Sequence, residues 1–323
     1  MVHSKSAGGF AVSSLSDTKS DKLLATPLER DNVPFATING IKVNYQIQGS
    51  GPPLLMFAPG GFGSVMSRWT AAGGKREWQE MDGLVALSSH FRTIAYDRRE
   101  AGQSSGRIEP LTWDLYVQEA RGLLELAGAQ QAIILGSCMG AALALAFAVR
   151  HPTVCRGLYL HWPVGGYRWM MKGHTFFKRH IDFVRANGFE AVVKRAPLAK
   201  SFWDDPEIGP WGPTTIVDPG LAAQLVNQDL GQYISICERS RDALFNDTMP
   251  SGASGAELIE IRIPAFIQSG NDSSHAHSAA RALKELMPRA ELWDVLPPDQ
   301  NGRNTLEQIL AFTKRLDRSA QPA

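Results

Sequence analysis

Cysteine is scarce in this chain. Its 323 residues hold three, Cys138, Cys155 and Cys237, too few and too scattered for a disulfide framework or a zinc site, and that usage points to a reducing compartment. An excess of one charge is also missing. The formal net charge is +1, which excludes the bulk electrostatic footprint of a nucleic-acid or anionic-membrane binder. No run of 18 apolar residues occurs, so no membrane span is predicted. Residues 1–34 are rich in Ser, Lys and Asp and lack the apolar stretch of a signal peptide. They read as a loose leader, and the cytoplasm is the expected location. No internal repeat or low-complexity tract is present, while the hydrophobic fraction of 44% suffices for one large α/β domain with an insertion.

The most informative segment is Gly136-Ser137-Cys138-Met139-Gly140. A short apolar run, Ala132 to Leu135, precedes it, and a stretch of helix formers, Ala141 to Arg150, follows. The pattern predicts strand, sharp turn, helix. A thiol on such a turn is exposed as a nucleophile, and the helix N-terminus favours its thiolate. The other reading of an isolated cysteine here is a small buried hydrophobe.

Two β-prone runs flank Asn39-Gly40, a hairpin signal. Leu54 to Phe57, Thr93 to Tyr96 and Gly157 to Leu160 read as buried parallel strands, with a helix from Trp113 to Leu126. The alternation stops from about Pro163 to Ala256, where Trp and Phe are interspersed with Pro and Gly, and aromatics there argue for a helical insertion over disorder. It resumes with a strand at Pro264 to Gln268, a helix near Ser278 to Met287, a strand at Glu291 to Val295 and a helix from Thr305 to Leu316.

Four ordered segments resemble the α/β-hydrolase family. The elbow at Cys138 matches Gly-x-Ser-x-Gly with Cys for Ser, and Ala58-Pro59-Gly60-Gly61-Phe62-Gly63 stands at the oxyanion turn. Asp97-Arg98-Arg99-Glu100-Ala101-Gly102-Gln103-Ser104 is similar to Asp-x-Arg-Gly-x-Gly-x-Ser, with Glu100 replacing a glycine. Ser269-Gly270-Asn271-Asp272 falls where the family has its triad acid, with one residue fewer between Gly270 and Asp272 than in Gly-x-x-Asp. The resemblance implies an α/β-hydrolase fold: a mostly parallel twisted sheet with helices on both faces, a core over 35–162 and 257–323, and a mainly helical cap over 163–256. It further implies an oxyanion hole from the amides of Met139 and of Gly61 or Phe62.

The family's late histidine is absent, since no histidine follows His277. His275, three residues beyond Asp272, is the first candidate for a displaced base and His277 the second. His161, at the end of the strand after the elbow helix, falls at the carboxyl edge of the sheet, where ligands gather. Arg99 would suit a substrate carboxylate, the other reading of Arg98, Arg99 and Glu100 being a solvated charge run. Trp203 and Trp211, with Trp169, Phe176 and Phe177, would roof the substrate or form the core of the cap.

These observations predict a hydrolase cleaving an ester, lactone or thioester of a small or medium substrate through an acyl enzyme on Cys138, with Asp272 and His275 activating water. The alternatives are a lyase, isomerase or C–C bond-cleaving enzyme on the same fold, and a degraded hydrolase that only binds a ligand. A small molecule is the expected partner, with neither nucleic acid nor membrane, and a homodimer is left open. No metal or organic cofactor is implied.

Overall fold

Asn39 and Gly40 both have positive φ, 50° and 73°, the backbone of a type I′ turn. They join β1 (Phe35–Ile38) to β2 (Ile41–Gln48) in a hairpin with Ile38 opposite Ile41. The computed structural model describes residues 34–73, 78, 81–247 and 252–319; residues 1–33 of the expected leader lie outside them.

The hairpin continues into an eight-stranded sheet. β2 pairs antiparallel with β4 (Arg92–Tyr96). β3 (Pro53–Phe57), β5 (Ala132–Ser137), β6 (Cys155–His161), β7 (Ala265–Gln268) and β8 (Ala290–Trp293) complete a parallel sheet with β4, in the order β1-β2-β4-β3-β5-β6-β7-β8. The short apolar runs arise because both faces are covered. In β3, Leu55 and Phe57 enter one core with α2 (Trp113–Leu126) and α3 (Met139–Arg150), while Leu54 and Met56 enter another with α1 (Gly83–Ser88). All of Met139 to Ala148 is buried, as befits a helix that is apolar all round.

Between β6 and β7 the chain forms α4 (Tyr167–Asn187), α5 (Phe189–Arg195), α6 (Gly212–Thr215), α7 (Pro219–Val226), α8 (Leu230–Leu244) and α9 (Gly255–Glu260). α9 crosses the boundary expected at residue 257. The aromatics of this stretch mostly pack on one another and on the turn after β3: Phe62 lies 5.2 Å from Phe202 and 5.8 Å from Phe177 between ring centroids. α10 (His277–Leu286) and α11 (Gly302–Ser319) follow β7 and β8. Among the described residues no helix is long and apolar enough to cross a membrane.

β3 has β4 on one side and β5 on the other, so successive crossovers leave in opposite directions and open a crevice at the carboxyl ends of β3 and β5. The glycine-rich turn and the cysteine elbow begin there.

Candidate active site

β5 ends at Ser137 and α3 begins at Met139, so the reversal falls on Cys138, with φ 58° and ψ −124°. Such a backbone costs on the order of 1–3 kcal/mol outside glycine and persists only where its surroundings enforce it. Here the Cys138 N–H donates to the His161 carbonyl at 3.0 Å and the Cys138 carbonyl accepts from the Ala141 N–H at 3.0 Å. Helix and strands approach backbone to backbone. A methyl added at Gly136 would lie 2.2 Å from the Gly140 carbonyl oxygen, and one at Gly140 would lie 2.3 Å from that of Phe57.

The loop after β7 carries the two groups that answer the thiol. Asp272 caps its own turn, Oδ1 accepting from the N–H of Ser274 at 2.8 Å and of His275 at 3.0 Å. Both carboxylate oxygens lie 2.9 Å from His275 Nδ1. With Nδ1 so engaged, Nε2 is the edge of the ring left for Cys138. It makes no conventional hydrogen bond among the described residues, yet the two groups bear strongly on each other's protonation.

Burial opposes ionisation of Cys138. The positive charge of His275, with the amides of Gly60 and Met139, outweighs it and holds the thiol below its ordinary pKa. Burial likewise opposes a charged His275, but the Cys138 thiolate and the Asp272 carboxylate push it up to about 10. The hydrogen bond from His275 keeps Asp272 below the usual carboxylate range, against the effect of burial. The three groups thus favour one another's charged forms. Cys138 is partly exposed, and it opens with His275 and Asp272 into a cavity of about 390 Å³ whose walls include Gly60, Arg68, Trp78, His161 and Trp162.

Several expected site residues are differently employed. The turn amide that reaches the sulfur belongs to Gly60, one residue before Gly61 and two before Phe62. The Gly61 carbonyl accepts from Arg98 and the Phe62 side chain is buried among aromatics, contacts that engage the amide of neither residue. Met139 opens α3, with its amide at the Cys138 sulfur. His161 lines the cavity, its Nδ1 2.7 Å from Ser137 Oγ and its ring stacked on Trp162. Trp203 donates from Nε1 to the Gly60 carbonyl at 3.2 Å, behind the turn and not on the cavity wall. Trp211 is fully buried against Tyr233, a core residue and not a roof.

Arg99 does not reach the cavity. It pairs with Glu100 and Glu109, and Arg98, Arg99 and Glu100 are 2%, 3% and 0% exposed, which overturns the solvated charge run as well. Arg98 lies 4.2 Å over the Tyr116 ring. Burial, countered in part by Arg99 and Arg98, pushes Glu100 up to about 8 and Glu119 to about 7. His277 contacts Ser269 Oγ at 2.6 Å and Asp294 at 3.0 Å, commitments that remove it from the reacting groups.

In the loop after β8, Gln300 is a strut. Its Oε1 accepts from Trp162 Nε1 at 2.6 Å and Gln268 Nε2 at 2.8 Å, while its Nε2 donates to the carbonyls of Ser269 at 2.7 Å and Val295 at 2.6 Å. Gln300, Gly60, Arg68, Trp78 and Trp162 also belong to the site or its supports. Only Gly60 had a local signal, its glycine-rich turn. No group of His, Cys, Asp and Glu among the described residues could hold a metal ion.

A family model described as alpha/beta hydrolase fold matches residues 53–192. The 2-hydroxymuconate semialdehyde hydrolase of Pseudomonas putida is 35% identical over 126 residues, 39% of this chain and 41% of that protein. The chain spans 33% to 57% of the length of the curated relatives it matches. An alpha/beta hydrolase enzyme from a Medee basin deep-sea metagenome library superposes with a TM-score of 0.58 at 18% identity, covering 87% of this chain and 97% of its own. The enol-lactonase of Burkholderia xenovorans LB400 gives 0.51 at 23% identity, with 88% and 98% covered. Structural likeness at such identities speaks for the fold.

Proposed function

We propose that this chain, whose fold is that of the α/β hydrolases, hydrolyses a small or medium ester, lactone or thioester through an acyl-cysteine on Cys138. The observation that carries the reading is the coupling of Cys138 to His275 and Asp272 on one cavity. The hydrolase names of its relatives support it.

In this mechanism the Cys138 thiolate attacks the carbonyl carbon and the carbonyl π electrons move to oxygen. The amides of Met139 and Gly60 meet at the sulfur, and donors at that point would hold the developing oxyanion. On collapse, the carbon–heteroatom bond breaks and the His275 imidazolium protonates the leaving group. Neutral His275 then takes a proton from water as its oxygen attacks the thioester. The second collapse expels the thiolate, releases the acid and restores the imidazolium. Asp272 holds the ring with Nε2 toward sulfur and stabilises its charge, the role of the acid in a catalytic triad. A cysteine suits a base placed in the preceding loop, because a thiol ionises more readily than a serine hydroxyl and asks less of the base before attack.

The deciding experiment is turnover of p-nitrophenyl acetate and of an ester, lactone and thioester panel by the protein and by Cys138→Ala. A burst of nitrophenolate and a loss of roughly 10³-fold or more in the variant are expected. Full turnover by Cys138→Ala would end the covalent mechanism, and no turnover of any member would favour a ligand-binding protein.

A further inference from the structure

The 3-10 turn Met66–Trp69 brings Arg68, half-buried, to the wall of the cavity that holds Cys138 and His275. Its Nε donates to the Gly63 carbonyl at 3.2 Å. A methyl on Gly60 would fall 2.7 Å from that nitrogen, so the guanidinium lies against the residue whose amide reaches the Cys138 sulfur. Neither Nη group of Arg68 has a hydrogen-bond or ion-pair partner among the described residues.

This is unlike the other arginines beside the turn. Arg98 is taken up by the Gly61 carbonyl and the Tyr116 ring, and Arg99 by Glu100 and Glu109. Among the described residues the carboxylate on the cavity wall, Asp272, is committed to His275. The remaining large side chains of the wall are Trp78, Trp162 and His161. A guanidinium half withdrawn from water, with no carboxylate of its own among the described residues, lacks its best hydrogen-bond acceptor.

We infer that Arg68 binds a carboxylate carried by the substrate, in addition to its scissile carbonyl. The Nη pair presents the planar fork that fits a carboxylate, and the tryptophans cover the apolar link between the two ends. The substrate class is thus an acid ester, acid lactone or acid thioester of small size, and this inference rests on the hydrolytic reading of the site.

The test compares ethyl hydrogen glutarate with diethyl glutarate, following proton release, in the intact protein, Arg68→Met and Arg68→Lys. Glutarate itself, which has no bond to hydrolyse, is titrated calorimetrically into the same three proteins. The protein should prefer the half-acid by about tenfold or more in kcat/KM, chiefly through KM, as a charge-assisted pair requires. Arg68→Met should erase that preference and weaken glutarate by a similar factor, and Arg68→Lys should retain part of both. An undiminished preference or glutarate affinity in Arg68→Met overturns the inference, as does a protein that binds no glutarate. If neither ester is turned over, the hydrolytic reading has failed and the glutarate titration alone decides what Arg68 does.

Discussion

Replacing Gly140 by alanine tests whether the elbow works by backbone contact. The new methyl would sit 2.3 Å from the Phe57 carbonyl oxygen and 2.9 Å from its carbon, where ordinary contact begins at 3.4 Å. Neither partner is a flexible side chain, so the start of α3 and the end of β3 must part by about 1 Å. Overpacking of this kind costs roughly 1–3 kcal/mol, and in a chain of this size that lowers Tm by roughly 2–5 °C. The functional effect follows from the same displacement. Phe57 leads directly into the turn that presents the Gly60 amide, while Gly140 adjoins Met139, so the two donors to the Cys138 sulfur lie on the surfaces being separated. A misplacement of 1 Å at reacting groups can cost on the order of 10²-fold in rate. The assay is iodoacetamide alkylation of Cys138 followed by intact mass across pH, with thermal melts of the same samples. The variant should alkylate with a higher midpoint and turn over more slowly. An unchanged midpoint together with an unchanged Tm would refute the argument that glycine is there for backbone contact.

With Cys138 held below its ordinary pKa and His275 at about 10, turnover should fall at acid pH as the thiolate gains a proton and at alkaline pH as the imidazolium loses its own, and a pH–rate profile without both limbs would contradict the coupling. His275→Ala should raise the alkylation midpoint and slow turnover by about two orders of magnitude or more; equal midpoints in the two proteins would remove His275 from the site. Gln300→Ala should cost about 3 kcal/mol or more, since it strands donors on Trp162 and Gln268 and carbonyls of Ser269 and Val295, and denaturant midpoints would measure it. Glu100 and Glu119 are raised by burial from an ordinary value of 4.5 to about 8 and about 7. Their contribution to stability is complete below the ordinary value and lost as pH climbs through the folded values. Tm should therefore decline from mildly acid to alkaline pH, and less steeply in Glu119→Gln; a flat profile for both proteins would contradict the burial effect.

What the sequence revealed tracks how local each signal is. The Asn39-Gly40 turn and α2, Trp113–Leu126, were legible because a dihedral requirement and an apolar period are written in adjacent residues. α11 begins at Gly302, three residues before its expected start at Thr305. Asn301 and Asn304 exchange side-chain to backbone hydrogen bonds of 2.8 and 3.0 Å there, a capping signal that a search for apolar period overlooks. α1, of six residues, is too short to show a period. Cys138, Asp272 and His275 were visible as residue types on turns, and their meeting required the sheet. The work of Arg68, Gly60 and Gln300 lies in which distant segment they touch, as the Gln300 bond to Trp162 across 138 positions illustrates. The charged run at Arg98 misled for a similar reason: Glu119, 20 residues beyond Arg99, supplies part of the counter-charge that lets it be buried.

Asp272 and His275 are three residues apart and tied through one Asx turn. Closing so short a loop takes little chain entropy, so half of the site has almost no contact order of its own. The cysteine half is the opposite, because its backbone is set by strands collected from across the chain. The acid and base are thus placed by a turn of four residues, and the nucleophile by the assembled sheet.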